Sequence, residues 1–149
     1  MNDDFEKVLL EIKSVLNSYQ KKDGKEKKLV IVSKSQITQN LQKVIGHNYL
    51  EFGENYVDEG IKKIEELNNK KLKWHFIGNI QSNKIKKIVK YFDWIQTLSS
   101  LKHARLIDNE CIKQNKKINI CIQINIDDEH SKGGIKVDKY FIYFVFSFT

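Results

Sequence analysis

One lysine is distinguished from the many others in this chain by its position. Lys34 follows the apolar run Leu-Val-Ile-Val and a serine at residues 29–33. A lysine in that place has apolar neighbours on one side and solvent on the other, and partial desolvation favours the neutral amine that attacks carbonyl groups. Lys34 is therefore a candidate Schiff-base lysine. The alternative is an exposed lysine that begins a loop.

Small or polar residues also end the later apolar runs of the chain. In chain order they are Gly53, Glu54 and Asn55, then Gly78 and Asn79, then Thr97, then Asn125. If these runs are parallel strands, their carboxyl ends meet at one edge of the sheet, where α/β proteins bind ligands. The pattern predicts one site at this edge, built from an amine, a carboxylate, amides and two glycines.

The apolar runs alternate with helical patterns along the chain. Residues 29–33 are short and rich in β-branched side chains, which is typical of a strand buried on both faces. Four further strands are predicted at 49–53, 73–78, 93–98 and 118–126. Helices are predicted at 5–16, 36–46, 61–67, 85–92 and 100–115, with 17–28 as a polar connection. Because no hairpin sequence joins two strands, the pattern indicates βαβ units and a parallel α/β sheet.

Composition limits the classes of function. The chain has 149 residues and a net charge of +7, and Arg105 is the one arginine among its 26 basic residues. Arginine is the side chain that proteins prefer for binding phosphates and guanines. Because arginine is scarce here, most lysines are interpreted as solvated helix faces. A lysine-rich nucleic-acid binder is the alternative function. The first residues lack a signal-peptide pattern, and no apolar run approaches membrane-spanning length. These features predict a cytoplasmic protein without a membrane partner.

Three blocks carry a resemblance to a known family. They are IVSK at 31–34, FGENYVDE at 52–59 and WHFIGNIQSNKIK at 74–86, with weaker similarity at 93–104 and 122–135. In this order they resemble the pyridoxal-phosphate homeostasis proteins, single-domain relatives of the alanine racemase N-terminal barrel. The resemblance implies a TIM-type (β/α) barrel and a cytoplasmic, usually monomeric protein. It also implies that Lys34 holds pyridoxal 5′-phosphate as a Schiff base, in a role in cofactor and amino-acid balance without established catalysis.

Three more residues of the matched blocks are candidate cofactor contacts, and each has a second interpretation. Asn55 either reaches the cofactor or caps the helix that follows. His75 is either a site residue or a histidine satisfied within the core. Gly78 either lets the backbone approach a ligand or simply forms a tight turn. A racemase-like enzyme is an alternative function, and it needs an acid–base residue opposite the lysine, for which His75 and Tyr56 are the candidates.

The length of the chain predicts an incomplete barrel. A (β/α)8 barrel takes at least about 200 residues, and the resemblance ends near Ile135. We therefore expect an incomplete barrel of five or six parallel strands, with residues 1–136 as the partial barrel domain and the C-terminal part truncated. An atypical hydrophobic tail follows at 137–149, as a sixth strand or as a frameshifted end.

The chain departs from the family pattern just after Lys34. It contains no proline, and Ser35-Gln36-Ile37 stands where the family commonly has one.

Acidic residues and a histidine run consecutively at 127–130 after the fifth strand. They are interpreted as a solvated loop, with a metal site as the alternative, and no metal is predicted.

Overall fold

The computed structural model describes residues 3–24, 28–126 and 133–136. The chain divides into two compact units, residues 1–30 and residues 31–149. The acidic loop at 127–130 and the tail at 137–149, which follows the predicted domain boundary at 136, lie outside the described residues.

The first unit contains helix α1, Asp3–Asp23. It extends seven residues beyond the stretch predicted at 5–16, so the interpretation of 17–23 as a connection is wrong. Lysine and glutamine are good helix formers even where no apolar stripe continues. The next residue, Gly24, has φ of 71°, a left-handed conformation that glycine adopts readily after a helix.

The second unit alternates strands and helices. The strands are β1 Ile31–Val32, β2 Glu51–Glu54, β3 Lys73–Phe76, β4 Trp94–Leu98 and β5 Asn119–Ile122. The helices are α2 Thr38–Gly46, α3 Val57–Leu67, α4 Ile85–Tyr91 and α5 Leu101–Gln114, and a 3-10 turn at Ser82–Lys84 precedes α4. All neighbouring strands of the sheet are parallel, in the order β1-β2-β3-β4-β5. This sequential order is that of consecutive units of a (β/α) barrel, and it confirms the predicted α/β class.

The last predicted strand, 118–126, is divided at Gln123. Its second part, β6 Ile124–Asn125, pairs in parallel with β7, Ile135–Lys136, in a separate two-stranded sheet. Gln123 donates its N–H to Leu98 of β4 and accepts from the N–H of Ile135. The main chain of this one residue therefore joins the two sheets.

One face of the five-stranded sheet carries the core. Alternation along β2 and β3 directs Phe52, Trp74 and Phe76 to the same face. Phe52 and Trp74 lie 5.4 Å apart between ring centroids, and Phe76 meets Phe92 edge to face at 5.5 Å. The same cluster takes in buried residues from each of the helices α2 to α5, among them Leu41, Val57, Ile88, Val89, Ala104 and Ile107. The helices therefore cover this face.

The first strand departs from its prediction. Val32 is 51% exposed, whereas a strand buried on both faces was expected at 29–33. Only Ile31 and Val32 pair, and within the described residues their one sheet neighbour is β2. An edge strand has a single paired side and less cover than a central strand.

Among the described residues, no helix combines the length and apolar character needed to cross a bilayer.

An ion triad ties the start of α3 to the start of α4. Asp58 accepts from Lys84 and from Lys87, each at 2.7 Å. The hydrogen bond from Lys84, together with that from Lys87, lowers the pKa of Asp58 to about 2. A carboxylate with a depressed pKa stabilises the folded state at pH above its ordinary pKa, and this contribution is lost as the pH falls through about 2.

Replacing Asp58 by asparagine tests this triad. The melting temperature of Asp58→Asn should lie below that of the unmodified chain at pH 6, and the difference should shrink as the pH falls from about 4 toward 2. Thermal unfolding of both chains across this range measures the effect. Asp108→Asn is a suitable control, because Asp108 is an exposed aspartate of α5. A constant difference at every pH would contradict the assignment.

Candidate functional site

The carboxyl ends of neighbouring strands are joined by backbone hydrogen bonds. Ser33 N–H donates to Gly53 C=O, and Ile77 N–H donates to Glu54 C=O, both at 2.9 Å. The Thr97 hydroxyl donates to Gly78 C=O at 2.6 Å. The ends of β1 to β4 therefore assemble at one edge, as the sequence predicted, and we call it the carboxyl edge. Asn125, expected at the end of the fifth strand, instead lies in the separate strand β6.

Lys34 lies in the turn directly after β1. Its side chain is exposed, and the following residue, Ser35, has φ of 59°. The partial desolvation expected for this amine is therefore not provided by the described residues. Exposure leaves the amine accessible to a ligand at the carboxyl edge.

The main chain on both sides of Lys34 is bound to α3. Lys63 Nζ donates to the carbonyl oxygen of Ser33 at 2.6 Å. Ser35 N–H donates to Glu59 Oε1, also at 2.6 Å. Lys63 in turn contacts Glu59 and Glu54, each at 2.7 Å. We call Ser33, Glu54, Glu59 and Lys63 the Lys63 cluster.

Three members of the Lys63 cluster, Ser33, Glu54 and Lys63, are buried, and Glu59 is partly exposed. Glu54 is 0% exposed and Lys63 is 5% exposed. Glu54 Oε1 accepts from the Ser33 hydroxyl at 2.6 Å as well as from Lys63, whereas its Oε2 atom is buried without a partner among the described residues. Burial of a carboxylate with one unpartnered oxygen is costly, so the cluster depends on the Lys63 ammonium.

The electrostatics of Glu59 agree with this arrangement. Partial burial opposes its ionisation, but the hydrogen bonds from Lys63 and from Ser35 N–H outweigh it and hold the pKa of Glu59 below the ordinary value. Glu59 is therefore a carboxylate at neutral pH and a strong acceptor for the Ser35 N–H.

The Lys63 cluster was not predicted from the sequence. Most lysines were interpreted as solvated helix faces, and Lys63 was not distinguished from them. Two sequence features point the other way. Glu54 lies two residues after Phe52, so the alternation of a strand places it on the core face. Lys63 lies three residues after Gly60, on the same side of α3. The glycine lets this side of the helix pack closely on the core, since a Cβ added to Gly60 would lie 2.7 Å from Phe92 Cζ.

His75 is a satisfied, buried histidine. Gln96 Nε2 donates to His75 Nδ1 at 2.9 Å, so the ring proton lies on Nε2 and is donated to Glu51 Oε2 at 2.6 Å. The ring also stacks on Trp94, with centroids 5.5 Å apart. This geometry favours the core interpretation, since both ring nitrogens are occupied. A contact between His75 and a cofactor stays a prediction.

The positions of Asn55 and Gly78 remove one alternative for each. The N-cap residue of α3 is Tyr56, whose side chain makes no capping hydrogen bond, so the interpretation of Asn55 as the helix cap is wrong. A Cβ on Gly78 would lie 2.0 Å from the carbonyl oxygen of Asn55. The close approach that requires glycine is therefore between two parts of the chain itself. Contacts of either residue with a cofactor stay predictions.

Comparison with known proteins gives the family. Residues 10–143 match the family described as alanine racemase, N-terminal domain. The chain belongs to this family. That membership accounts for the sequential parallel sheet with helices on one face.

Individual members are similar over a large part of the chain. The pyridoxal phosphate homeostasis protein of Pasteurella multocida is 43% identical over 111 residues, which are 73% of this chain and 48% of that protein. The protein of the same name from Buchnera aphidicola subsp. Schizaphis graminum is 41% identical over 133 residues, 87% of this chain and 58% of that protein. The chain thus spans about half the length of these curated relatives.

A solved structure of similar fold contains pyridoxal 5′-phosphate (PLP). PipY of Synechococcus elongatus PCC7942, with PLP bound, superposes with a TM-score of 0.68 at 31% identity. The match covers 72% of this chain and 50% of PipY.

The residues of the carboxyl edge fit such a cofactor in part. An accessible primary amine, Lys34, extends from a turn whose main chain is bound on both sides. Asn55, half-buried directly after the neighbouring strand β2, offers an amide. A primary amine such as that of Lys34 is the group that attaches to an aldehyde.

Proposed function

We propose that this chain binds pyridoxal 5′-phosphate through Lys34 and acts in the homeostasis of that cofactor and of amino acids in the cytoplasm. The observation that carries the proposal is the position of Lys34, exposed at the carboxyl edge in a turn bound to α3 on both sides. The pyridoxal-phosphate homeostasis proteins among its relatives and the PLP-bound PipY support the choice of ligand.

Different residues of the chain contribute different groups to cofactor binding. Lys34 supplies the amine, Asn55 supplies an amide on the neighbouring strand end, and the Lys63 cluster holds the turn. Lys34 would hold the cofactor, which would supply an aldehyde able to condense with the amine with loss of water. Retention is expected to be weak, because no glycine-rich phosphate loop occurs in the sequence.

A racemase-like activity receives less support from the site. It needs a second acid–base residue that faces the lysine. The described contacts favour neither candidate: both ring nitrogens of His75 are hydrogen-bonded, and no contact among the described residues holds Tyr56, which is 64% exposed, opposite Lys34. Binding without catalysis is therefore the function that we propose.

Borohydride trapping tests the proposal. The chain is mixed with pyridoxal 5′-phosphate and reduced, and the label is located by peptide mapping. The label should lie mainly on Lys34, and dialysis before reduction should remove it. Lys34→Ala should abolish the selective labelling, while Lys43→Ala, which removes an exposed lysine of α2, should leave it unchanged. Label spread evenly over the surface lysines would overturn the proposal.

A further inference from the structure

The two peptide groups that flank Lys34 are both held by one helix. The carbonyl of Ser33 belongs to the peptide before Lys34, and the N–H of Ser35 belongs to the peptide after it. Lys63 binds the first and Glu59 binds the second, each at 2.6 Å. These two side chains lie one turn apart on α3 and contact each other at 2.7 Å. The turn is therefore bound to a single preformed pair of charges.

The conformation of the turn needs such a restraint. Ser35 has φ of 59°, and a residue with a Cβ rarely adopts this left-handed region unless surrounding contacts impose it. The hydrogen bond from Ser35 N–H to Glu59 is one such contact. A second lies within the turn itself, where Gln36 N–H donates to Ser33 C=O at 3.1 Å.

A restrained main chain gives Lys34 an advantage over other lysines. Arg105 is the single arginine among 26 basic residues, so 25 lysines compete for any aldehyde. Fixing both flanking peptides fixes the origin and direction of the Cα–Cβ bond of Lys34. The amine then samples fewer positions away from the carboxyl edge, and positioning of this kind raises the rate at which a bound partner reacts.

We propose that Glu59 and Lys63 are positioning residues that hold the Lys34 turn and thereby select its amine for the cofactor aldehyde. This role rests on the proposed function of Lys34. Neither side chain touches the cofactor in this role. Each acts through a main-chain hydrogen bond next to the reacting lysine.

The first test changes Glu59, which is partly exposed and contributes less to the core than Lys63. In Glu59→Ala, the initial rate of borohydride-trapped labelling at Lys34 should fall by up to about a hundredfold relative to the other lysines. Glu59→Gln should retain much of the selectivity, because its amide oxygen still accepts from Ser35 N–H. The matched control is Glu66→Ala, which removes an exposed glutamate of the same helix and should change nothing.

A second readout needs no cofactor. Hydrogen exchange at the Ser35 amide should be faster in Glu59→Ala than in Glu66→Ala or the unmodified chain. The double variant Glu54→Leu/Lys63→Met removes the bond to the Ser33 carbonyl without leaving a buried unpaired charge, and it should also lose selectivity at Lys34.

The outcomes separate the two proposals. Selective labelling in the unmodified chain that persists in Glu59→Ala and in the double variant would overturn the positioning role alone. An unchanged Ser35 exchange rate in Glu59→Ala would do the same. Absence of selective labelling in the unmodified chain would overturn the function of Lys34 and the positioning role with it.

Discussion

Lys63→Met is expected to lower the free energy of unfolding by about 3–5 kcal/mol, because it leaves a buried carboxylate without its cation. Glu54 is 0% exposed, and its remaining partner would be the Ser33 hydroxyl. Methionine matches the aliphatic part of lysine closely, so the loss would arise from charge and hydrogen bonding rather than from a cavity. Urea unfolding followed by circular dichroism measures the change.

Two comparisons make this prediction specific. Lys62→Met removes the adjacent lysine, whose side chain is 77% exposed and lies 3.8 Å from Glu66, and it should change the unfolding free energy by less than about 1 kcal/mol. Glu54→Leu/Lys63→Met should recover most of the loss, since apolar replacement of a buried ion pair is often neutral. A double variant less stable than Lys63→Met would contradict the explanation.

Gly78→Ala is expected to destabilise the chain by about 3 kcal/mol, the upper part of the range for overpacking. The added Cβ would lie 2.0 Å from Asn55 O, 2.7 Å from its carbonyl carbon and 2.9 Å from its Cα. All three atoms belong to the main chain and cannot rotate away as a side chain would. Accommodation therefore requires the ends of β2 and β3 to separate.

Gly46→Ala is the matched control for this change. A Cβ at Gly46 would meet nothing within 4 Å, and the residue lies at the end of α2. Alanine there should be neutral or stabilising by up to about 1 kcal/mol. Equal unfolding midpoints for the two alanine variants would show that the contact between Gly78 and Asn55 is not tight.

Sequence patterns predicted the sheet because each strand has an apolar run and each connection has a helical stripe. Parallel pairing followed from the absence of hairpins, and the carboxyl edge followed from strand direction. The errors have physical causes. The helix at 17–23 has no apolar stripe to reveal it, and the exposure of Val32 depends on how many neighbours its strand acquires.

The chemistry of the site was only half predictable. Lys34 was selected as a candidate from the run that precedes it, but the exposure of its side chain depends on the turn, which no pattern specifies. Lys63 could not be separated by composition from the other lysines, because its burial arises from two elements meeting: the core-facing Glu54 of β2 and the helix α3 drawn close by Gly60. For His75 the sequence left two interpretations open, a site residue or a histidine satisfied within the core. It could not decide between them because the partners Glu51 and Gln96 come from two other strands.

The sequential order of the strands has a consequence for how the chain folds. Val32 pairs with Gly53 and His75 pairs with Trp94, so each strand meets a partner about 20 residues away, separated from it by a single crossover helix. During synthesis, each unit can dock on the one before it as it leaves the ribosome. Among the described residues, the side chains that hold the turn carrying Lys34 lie no later in the chain than Lys63. The position of Lys34 is therefore set by the second βα unit to emerge.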